Sequence, residues 1–137
     1  MAKIEGGCLC GAIRYSSDAD PVMSTVCHCS HCQKQTGTSF STIVGVPREA
    51  LKVEGTPKVY NDTADSGGKV WRNFCPDCGS PVFSDCERIP SLLFIKAGTL
   101  DDRSWFEPGS HIWTGSKQPW VELDESLPSS PDGSRPS

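Results

Sequence analysis

Apolar positions along this chain come in short runs, and glycine or proline interrupts most of them. No stretch of about 12 residues sustains a 3.6-residue period, so the pattern predicts an all-β domain of short antiparallel strands. Expected strands are Ala12–Ser16, Val22–Cys27, Ser39–Val46, Leu51–Glu54 and Lys58–Asn61. Lys69–Phe74, Pro81–Ser84 and Leu92–Ala97 complete the set. Pro47-Arg48-Glu49-Ala50 predicts a single helical turn opened by proline, and Asp65-Ser66-Gly67-Gly68 has the composition of an exposed turn. The folded domain is expected to occupy residues 1–125. Residues 126–137, rich in serine and proline, carry too little apolar surface to order themselves and are expected to form a loose tail.

Composition adds a constraint. Only 36% of the 137 residues are apolar, so the core must be modest and something besides burial should help to hold it. Eight cysteines supply the candidate, as disulfides or as metal ligands. The opening Met1-Ala2-Lys3-Ile4-Glu5-Gly6-Gly7 has no apolar export segment, and no apolar run approaches the ~20 residues that cross a bilayer. The expectation is therefore a cytoplasmic protein with no membrane partner, whose thiols are free or metal-bound. A net charge of −4 without a basic stripe argues against gripping a phosphate backbone, so no nucleic acid is expected.

The densest chemistry is Cys27-His28-Cys29-Ser30-His31-Cys32. In an extended segment Cys27 and Cys29 point to one face. Cys32 follows at C-x-x-C spacing, in which a tight turn returns the second sulfur towards the first. Three protein thiolates on a tetrahedral ion leave a fourth position open, as catalytic zinc sites do. A second set combines Cys8 and Cys10, flanked by glycines, with Cys75-Pro76-Asp77-Cys78-Gly79. Four thiolates from two distant pairs close a tetrahedron and read as a structural zinc. A permuted arrangement, in which Cys27 to Cys32 share an ion with Cys8 or Cys75, competes with this division.

Neighbouring residues divide between ordinary and functional readings. His28, opposite the sulfurs in an extended C-x-C, is expected to face away or pack. His31 is a candidate proton carrier, and His111 reads as a satisfied structural histidine. Arg14 and Arg72 could meet a substrate carboxylate, but the expectation for both is an ordinary surface arginine. Trp105, Trp113 and Trp120 could wall a pocket or close the core, and the core is the expectation. Cys86 lacks a partner at ligand spacing and reads as a buried free thiol.

Three segments carry a family resemblance: Gly6-Gly7-Cys8-Leu9-Cys10-Gly11-Ala12-Ile13-Arg14-Tyr15, Cys27 to Cys32, and Phe74-Cys75-Pro76-Asp77-Cys78-Gly79-Ser80-Pro81. With Pro108-Gly109-Ser110-His111-Ile112-Trp113 and Trp120, they resemble the glutathione-dependent formaldehyde-activating enzyme (centromere protein V domain) family over about residues 4 to 121. The resemblance implies a β-tent fold, two zinc ions and carbon–sulfur lyase activity on S-hydroxymethyl-glutathione. It implies that Cys8, Cys10, Cys75 and Cys78 hold the structural ion, and Cys27, Cys29 and Cys32 the catalytic one. Thr36, Gly37, Thr38 and Ser39 resemble the family's small-residue segment, whose hydroxyls and N–H groups could receive a peptide-like ligand.

Three thiolates make zinc a weak Lewis acid, so a soft exogenous thiol suits the open position better than activated water. The expected substrates are a low-molecular-weight thiol, glutathione by resemblance, and a small aldehyde. The competing reading is a non-catalytic zinc module that carries a thiol or contacts a protein partner.

Overall fold

The computed structural model describes residues 3–133. Ten strands appear in chain order: β1 (Ile4–Gly7), β2 (Arg14–Ser17), β3 (Met23–Cys27), β4 (Ser41–Pro47) and β5 (Leu51–Glu54). They continue with β6 (Lys58–Thr63), β7 (Lys69–Phe74), β8 (Pro81–Cys86), β9 (Leu92–Lys96) and β10 (His111–Ile112). One helix, α1 (Ser30–Thr36), follows β3, and 3-10 turns span Arg48–Ala50, Ala97–Thr99 and Thr114–Ser116. The all-β expectation holds, and β5 and β7 begin and end where the apolar pattern puts them.

The strands form two sheets. The smaller has the order β1-β2-β5, and the larger has the order β10-β3-β4-β9-β8-β7-β6. Every pairing is antiparallel except β10 with β3. β1 was not expected, because Ile4-Glu5-Gly6-Gly7 offers a single apolar residue and no alternation. Its glycines permit a close approach. A Cβ on Gly6 would stand 2.3 Å from Tyr15 Oη and 2.4 Å from the Thr99 carbonyl.

The central strands β4 and β9 are buried on both faces, and period-2 alternation sorts their side chains between two clusters. Val44, Val46, Leu93 and Ile95 join Ile4, Ile13, Tyr15, Val82 and Leu100 in the main core, which also takes in Cys8 and Cys75. Ile43 and Phe94 point the other way and pack with Cys27, Cys29 and Cys32. Each cysteine set thus lies against one face of the same pair of strands.

Part of the segment expected as a loose tail makes backbone hydrogen bonds to the domain. His111 N donates to Pro128 O, Ser130 N to His111 O and Trp113 N to Asp132 O, each at 3.0 Å. Ser130 is buried. The edge strand β10 presents backbone N–H and C=O groups that need partners, and a polar segment satisfies them without burying an apolar side chain. Residues 134–137 of that tail lie outside the described residues.

Candidate metal centres

Two turns bring the first set of cysteines together. Cys8 and Cys10 sit on the turn after β1, where Gly11 adopts φ +83°, and Gly11 N donates to Cys8 O at 3.2 Å. Cys75 and Cys78 occupy the knuckle between β7 and β8, where Gly79 adopts φ +78° and its N–H donates to Cys75 O at 2.9 Å. Positive φ suits glycine at both places. All four sulfurs lie within 4.8 Å of one another. Cys10 Sγ is 3.7 Å from both Cys8 Sγ and Cys75 Sγ. A tetrahedron with metal–sulfur bonds of ~2.3 Å has an edge of ~3.8 Å, so this donor set fits a tetrahedral thiolate-bound ion.

Backbone N–H groups feed the same sulfurs: Ile13 N reaches Cys8 Sγ at 3.2 Å and Asp77 N reaches Cys75 Sγ at 3.4 Å. Ser80 Oγ lies 3.2 Å from Cys78 Sγ. Hydrogen bonds from the Ser80 hydroxyl and backbone pull the Cys78 thiol down to about 5. Cys8 and Cys75 are buried, Cys78 is half-buried and Cys10 is exposed.

The second set is held by a strand end and a helix start. Cys27 closes β3, Cys29 is the N-cap of α1, and Cys32 lies in its first turn. Cys29 has an extended backbone (φ −65°, ψ 151°), and its sulfur accepts from Cys32 N at 3.2 Å, which satisfies a donor that the helix leaves open. The expected tight turn is therefore the opening turn of a helix. Seven residues without apolar periodicity gave no helical signal. α1 ends at Gly37, at φ +69°, whose N–H returns to Gln33 O at 2.8 Å.

All three cysteines are buried and their sulfurs lie within 4.8 Å of one another. No fourth histidine, cysteine or acidic side chain joins them among the described residues. Among the described residues the clustered cysteines fall into a group of four and a group of three, the division preferred over the permuted one. Hydrogen bonds within the trio push the Cys27 thiol far up. Those from Cys27 and Cys29, followed by the positive charges of Lys96 and Arg72, hold Cys32 well below the ordinary thiol range.

The two histidines beside these sulfurs turn elsewhere. His28 is fully buried, with Nε2 3.0 Å from Nδ1 of buried His111 and its ring against Phe40, so the packing role holds. His31 Nδ1 meets Asp62 at 2.9 Å and Nε2 meets Asp65 at 3.1 Å. The Asp62 hydrogen bond raises the His31 pKa despite partial burial. Cys86 is half-buried against the three-cysteine cluster, and burial lifts its thiol to about 11.

Arg72 departs from the surface role expected of it: only 4% of it is exposed. Its Nη1 lies 3.9 Å from Cys32 Sγ, and its Nε donates to Asp62 at 2.9 Å. Arg14 does take the surface role, paired with Asp101. Lys96, not singled out from the sequence, is buried, and its Nζ donates to Ser41 Oγ at 2.8 Å. Its only signal is a charge ending the apolar run Leu92-Leu93-Phe94-Ile95, which also describes an ordinary strand terminus. Trp113 packs against the three-cysteine cluster, whereas Trp105 and Trp120 are exposed, against the core placement expected of them.

An open groove of about 500 Å³ runs past this region. Thr36, Thr38, Ser39, Phe40, Ser41 and Thr42 line one side, with Ser80, Pro81, Lys96, Gly98, Thr99 and Trp120 completing it. Three of the four expected ligand-segment residues, Thr36, Thr38 and Ser39, line it. Gly37 instead supplies the helix cap. The Thr36 hydroxyl donates to Cys32 O at 2.8 Å, which ties the groove wall to the helix that carries a sulfur.

These features define a small two-sheet β domain with two thiolate clusters able to hold metal, one complete from the chain's own cysteines and one with three. The sequence profile described as Glutathione-dependent formaldehyde-activating enzyme matches residues 3–116, and the chain belongs to this family. A relative from Halomonas elongata named for the same family is 29% identical over 129 residues, covering 88% of this chain and 81% of that one. One from Aspergillus terreus is 35% identical over 85 residues, 60% of this chain and 44% of its own. One from Penicillium rubens is 27% identical over 109 residues, 77% and 56%. The chain spans about half the length of these fungal relatives. A Rhodobacter sphaeroides protein of known crystal structure shares the fold, with a TM-score of 0.56 at 21% identity over 76% of this chain and 91% of its own. No helix among the described residues is long and apolar enough to cross a membrane.

Proposed function

We propose that this chain is a zinc-dependent carbon–sulfur lyase that forms or cleaves the S-hydroxymethyl adduct of a small thiol, glutathione by kinship, with formaldehyde or a related aldehyde. One observation carries the reading. Three buried cysteine sulfurs converge, with no fourth donor from the described chain, at a helix whose last residue, Thr36, lines a groove.

In this reading Cys8, Cys10, Cys75 and Cys78 hold a structural zinc, and Cys27, Cys29 and Cys32 hold the second. Zinc bound to three thiolates supplies an anchor for an exogenous thiol and lowers its pKa. In the addition, the thiol sulfur bonds to the aldehyde carbon, the C=O double bond becomes a single bond, and the thiol proton ends on the aldehyde oxygen. Cleavage is the reverse.

The chain contributes position. α1 fixes two sulfurs through its cap, and Arg72 holds the Cys32 side of the centre. Phe40, Pro81 and Trp120 give the groove apolar faces, and Thr36, Thr38, Ser39, Thr42 and Thr99 offer hydroxyls. That mixture suits an extended peptide-like thiol. Holding thiol and aldehyde side by side makes the addition effectively unimolecular. A cytoplasmic, reducing setting would keep all eight cysteines available for this use.

The test is metal analysis followed by glutathione titration and turnover of S-hydroxymethyl-glutathione. Two zincs per chain, thiol binding, and loss of turnover in a folded Cys29→Ala variant are the expected results. Unchanged turnover in that variant would remove the lyase. Thiol binding without turnover in the wild type would leave a carrier of the thiol.

A further inference from the structure

One face of the seven-stranded sheet gathers the three-cysteine centre and two buried cations. β4 places Ser41 opposite Cys27 of β3 and Ile43 opposite Lys96 of β9. β8 places Ser84 opposite both Phe94 of β9 and Arg72 of β7. Side chains two apart on a strand share a face, and directly opposed residues do too. Cys27, Ser41, Lys96, Phe94 and Arg72 therefore project from one surface, beneath α1. The contacts agree. Arg72 Nη1 is 3.9 Å from Cys32 Sγ, and Lys96 Nζ holds Ser41 Oγ at 2.8 Å.

The four-cysteine centre is treated differently. Among the described residues, its sulfurs are served by backbone N–H groups and Ser80, and no lysine or arginine hydrogen-bonds to them. It carries the larger negative charge once filled, four thiolates against a divalent ion, and it meets that charge by leaving Cys10 in solvent. The three-cysteine centre carries only one excess negative charge, yet it is closed off from water and faces two buried cations. Burying cations is costly unless anions compensate them. Asp62 takes part of the Arg72 charge, at 2.9 Å from Nε, but Asp62 is also bonded by His31. Lys96 has no carboxylate partner among the described residues; its one hydrogen-bond partner is a serine hydroxyl. Among the described residues it is also the only charged one lining the groove.

Resting on the lyase reading for the identity of the natural ligand, we infer that Lys96, with Arg72 behind it, selects an anionic fourth donor for the three-cysteine centre and excludes neutral ones. Lys96 is a positioning and specificity residue that acts through charge. The same cation would draw the sulfur end of an incoming thiol down the groove as a thiolate.

Ligand-charge selectivity tests this on the full chain loaded with Co²⁺, whose visible absorption reports a new donor. Glutathione, 2-mercaptoethanol, thiocyanate and neutral imidazole are titrated against wild type, Lys96→Met and Lys96→Arg, with metal content and circular dichroism measured in parallel. The expected result is that wild type binds the sulfur donors and thiocyanate at least tenfold more tightly than imidazole. Lys96→Met should weaken the anions about tenfold and leave imidazole unchanged, and Lys96→Arg should restore the preference. Equal affinity for imidazole and the anions in wild type overturns the inference even if Lys96→Met does not fold, and so does an unchanged preference in a folded Lys96→Met; both leave the lyase reading standing. Lys96-dependent binding of thiocyanate without any thiol binding sinks the lyase reading and supports the inference. No binding by any probe overturns both.

Discussion

The two cysteine clusters differ in the charges around them, and on the proposed reading the difference separates a site that holds the fold from one that receives a ligand. The four-cysteine cluster joins two turns 65 residues apart in the chain, Cys10 against Cys75, and offers four sulfurs of its own. Its sulfurs lie partly at the surface, fed by backbone N–H groups that glycine turns present. The three-cysteine cluster is local in sequence, wholly buried, one donor short and set against Arg72 and Lys96. Closure and water access suit permanent occupancy. Burial, buried cations and an incomplete donor set suit exchange.

Removing a ligand from each centre should separate them most sharply. Structural zinc is worth ~10–16 kcal/mol in small domains, while a whole domain is stable by only ~5–15 kcal/mol. Cys75→Ala should therefore unfold the chain and release both ions, read by circular dichroism and metal content. Cys29→Ala should retain a folded chain with one ion per molecule. If Cys75→Ala stays folded with its three-cysteine centre loaded, the division of labour is wrong.

Arg72→Met comes next. It strips a buried cation from Asp62 and should cost about 2 kcal/mol in urea unfolding, because a charge-assisted hydrogen bond is lost and the half-buried carboxylate is left to His31. Asp62→Asn with Arg72→Met should recover part of that loss.

Acidification should then bear on the three-cysteine side. Burial depresses the His111 pKa, with Asp124 pulling weakly the other way, and burial likewise depresses that of its partner His28, with His111 and Lys117 adding to it. A depressed base gives stability that is complete above its unfolded value, about 6.5, and lost as pH falls towards the folded one. The urea midpoint at constant metal content should drop between pH 7 and pH 5.5. His111→Leu should flatten that slope, and a slope unchanged in the variant would assign it elsewhere.

Gly37→Ala should cost about 1 kcal/mol, the penalty of a left-handed conformation for alanine. An added Cβ there meets nothing within 4 Å, so strain at the end of α1 is the whole effect. Thermal unfolding measures it. Arg14→Ala should matter least. The Arg14–Asp101 pair is more than two-fifths exposed on both sides, and such pairs contribute below about 1 kcal/mol and fade with salt.

Much of the molecule was readable from local pattern. Alternation in Lys69–Phe74 and Leu51–Glu54 located those strands because side-chain periodicity depends only on neighbours along the chain. The local cysteine motifs followed from spacing, since C-x-C and C-x-x-C set which neighbouring sulfurs can converge, whereas the division of the distant pairs stayed open. β1 escaped because its pairing, with Gly6 tight against Tyr15, is a property of the partner strand. α1 escaped because its stability comes from a cysteine cap and from packing, and seven residues are too few to form a helix unaided.

The chain's own order of residues determined a β domain and the local thiol motifs at Cys8–Cys10, Cys27–Cys32 and Cys75–Cys78, all consequences of short-range geometry; joining the first to the third took the tertiary structure. Only the tertiary structure decided that Arg72 and Lys96 lie buried beside Cys32 rather than in solvent, and that residues 128–132 dock on β10. Charge at a site is summed through space across strands distant in sequence, and an edge strand takes whatever backbone reaches it. Neither quantity has a period or a spacing that a linear chain can display.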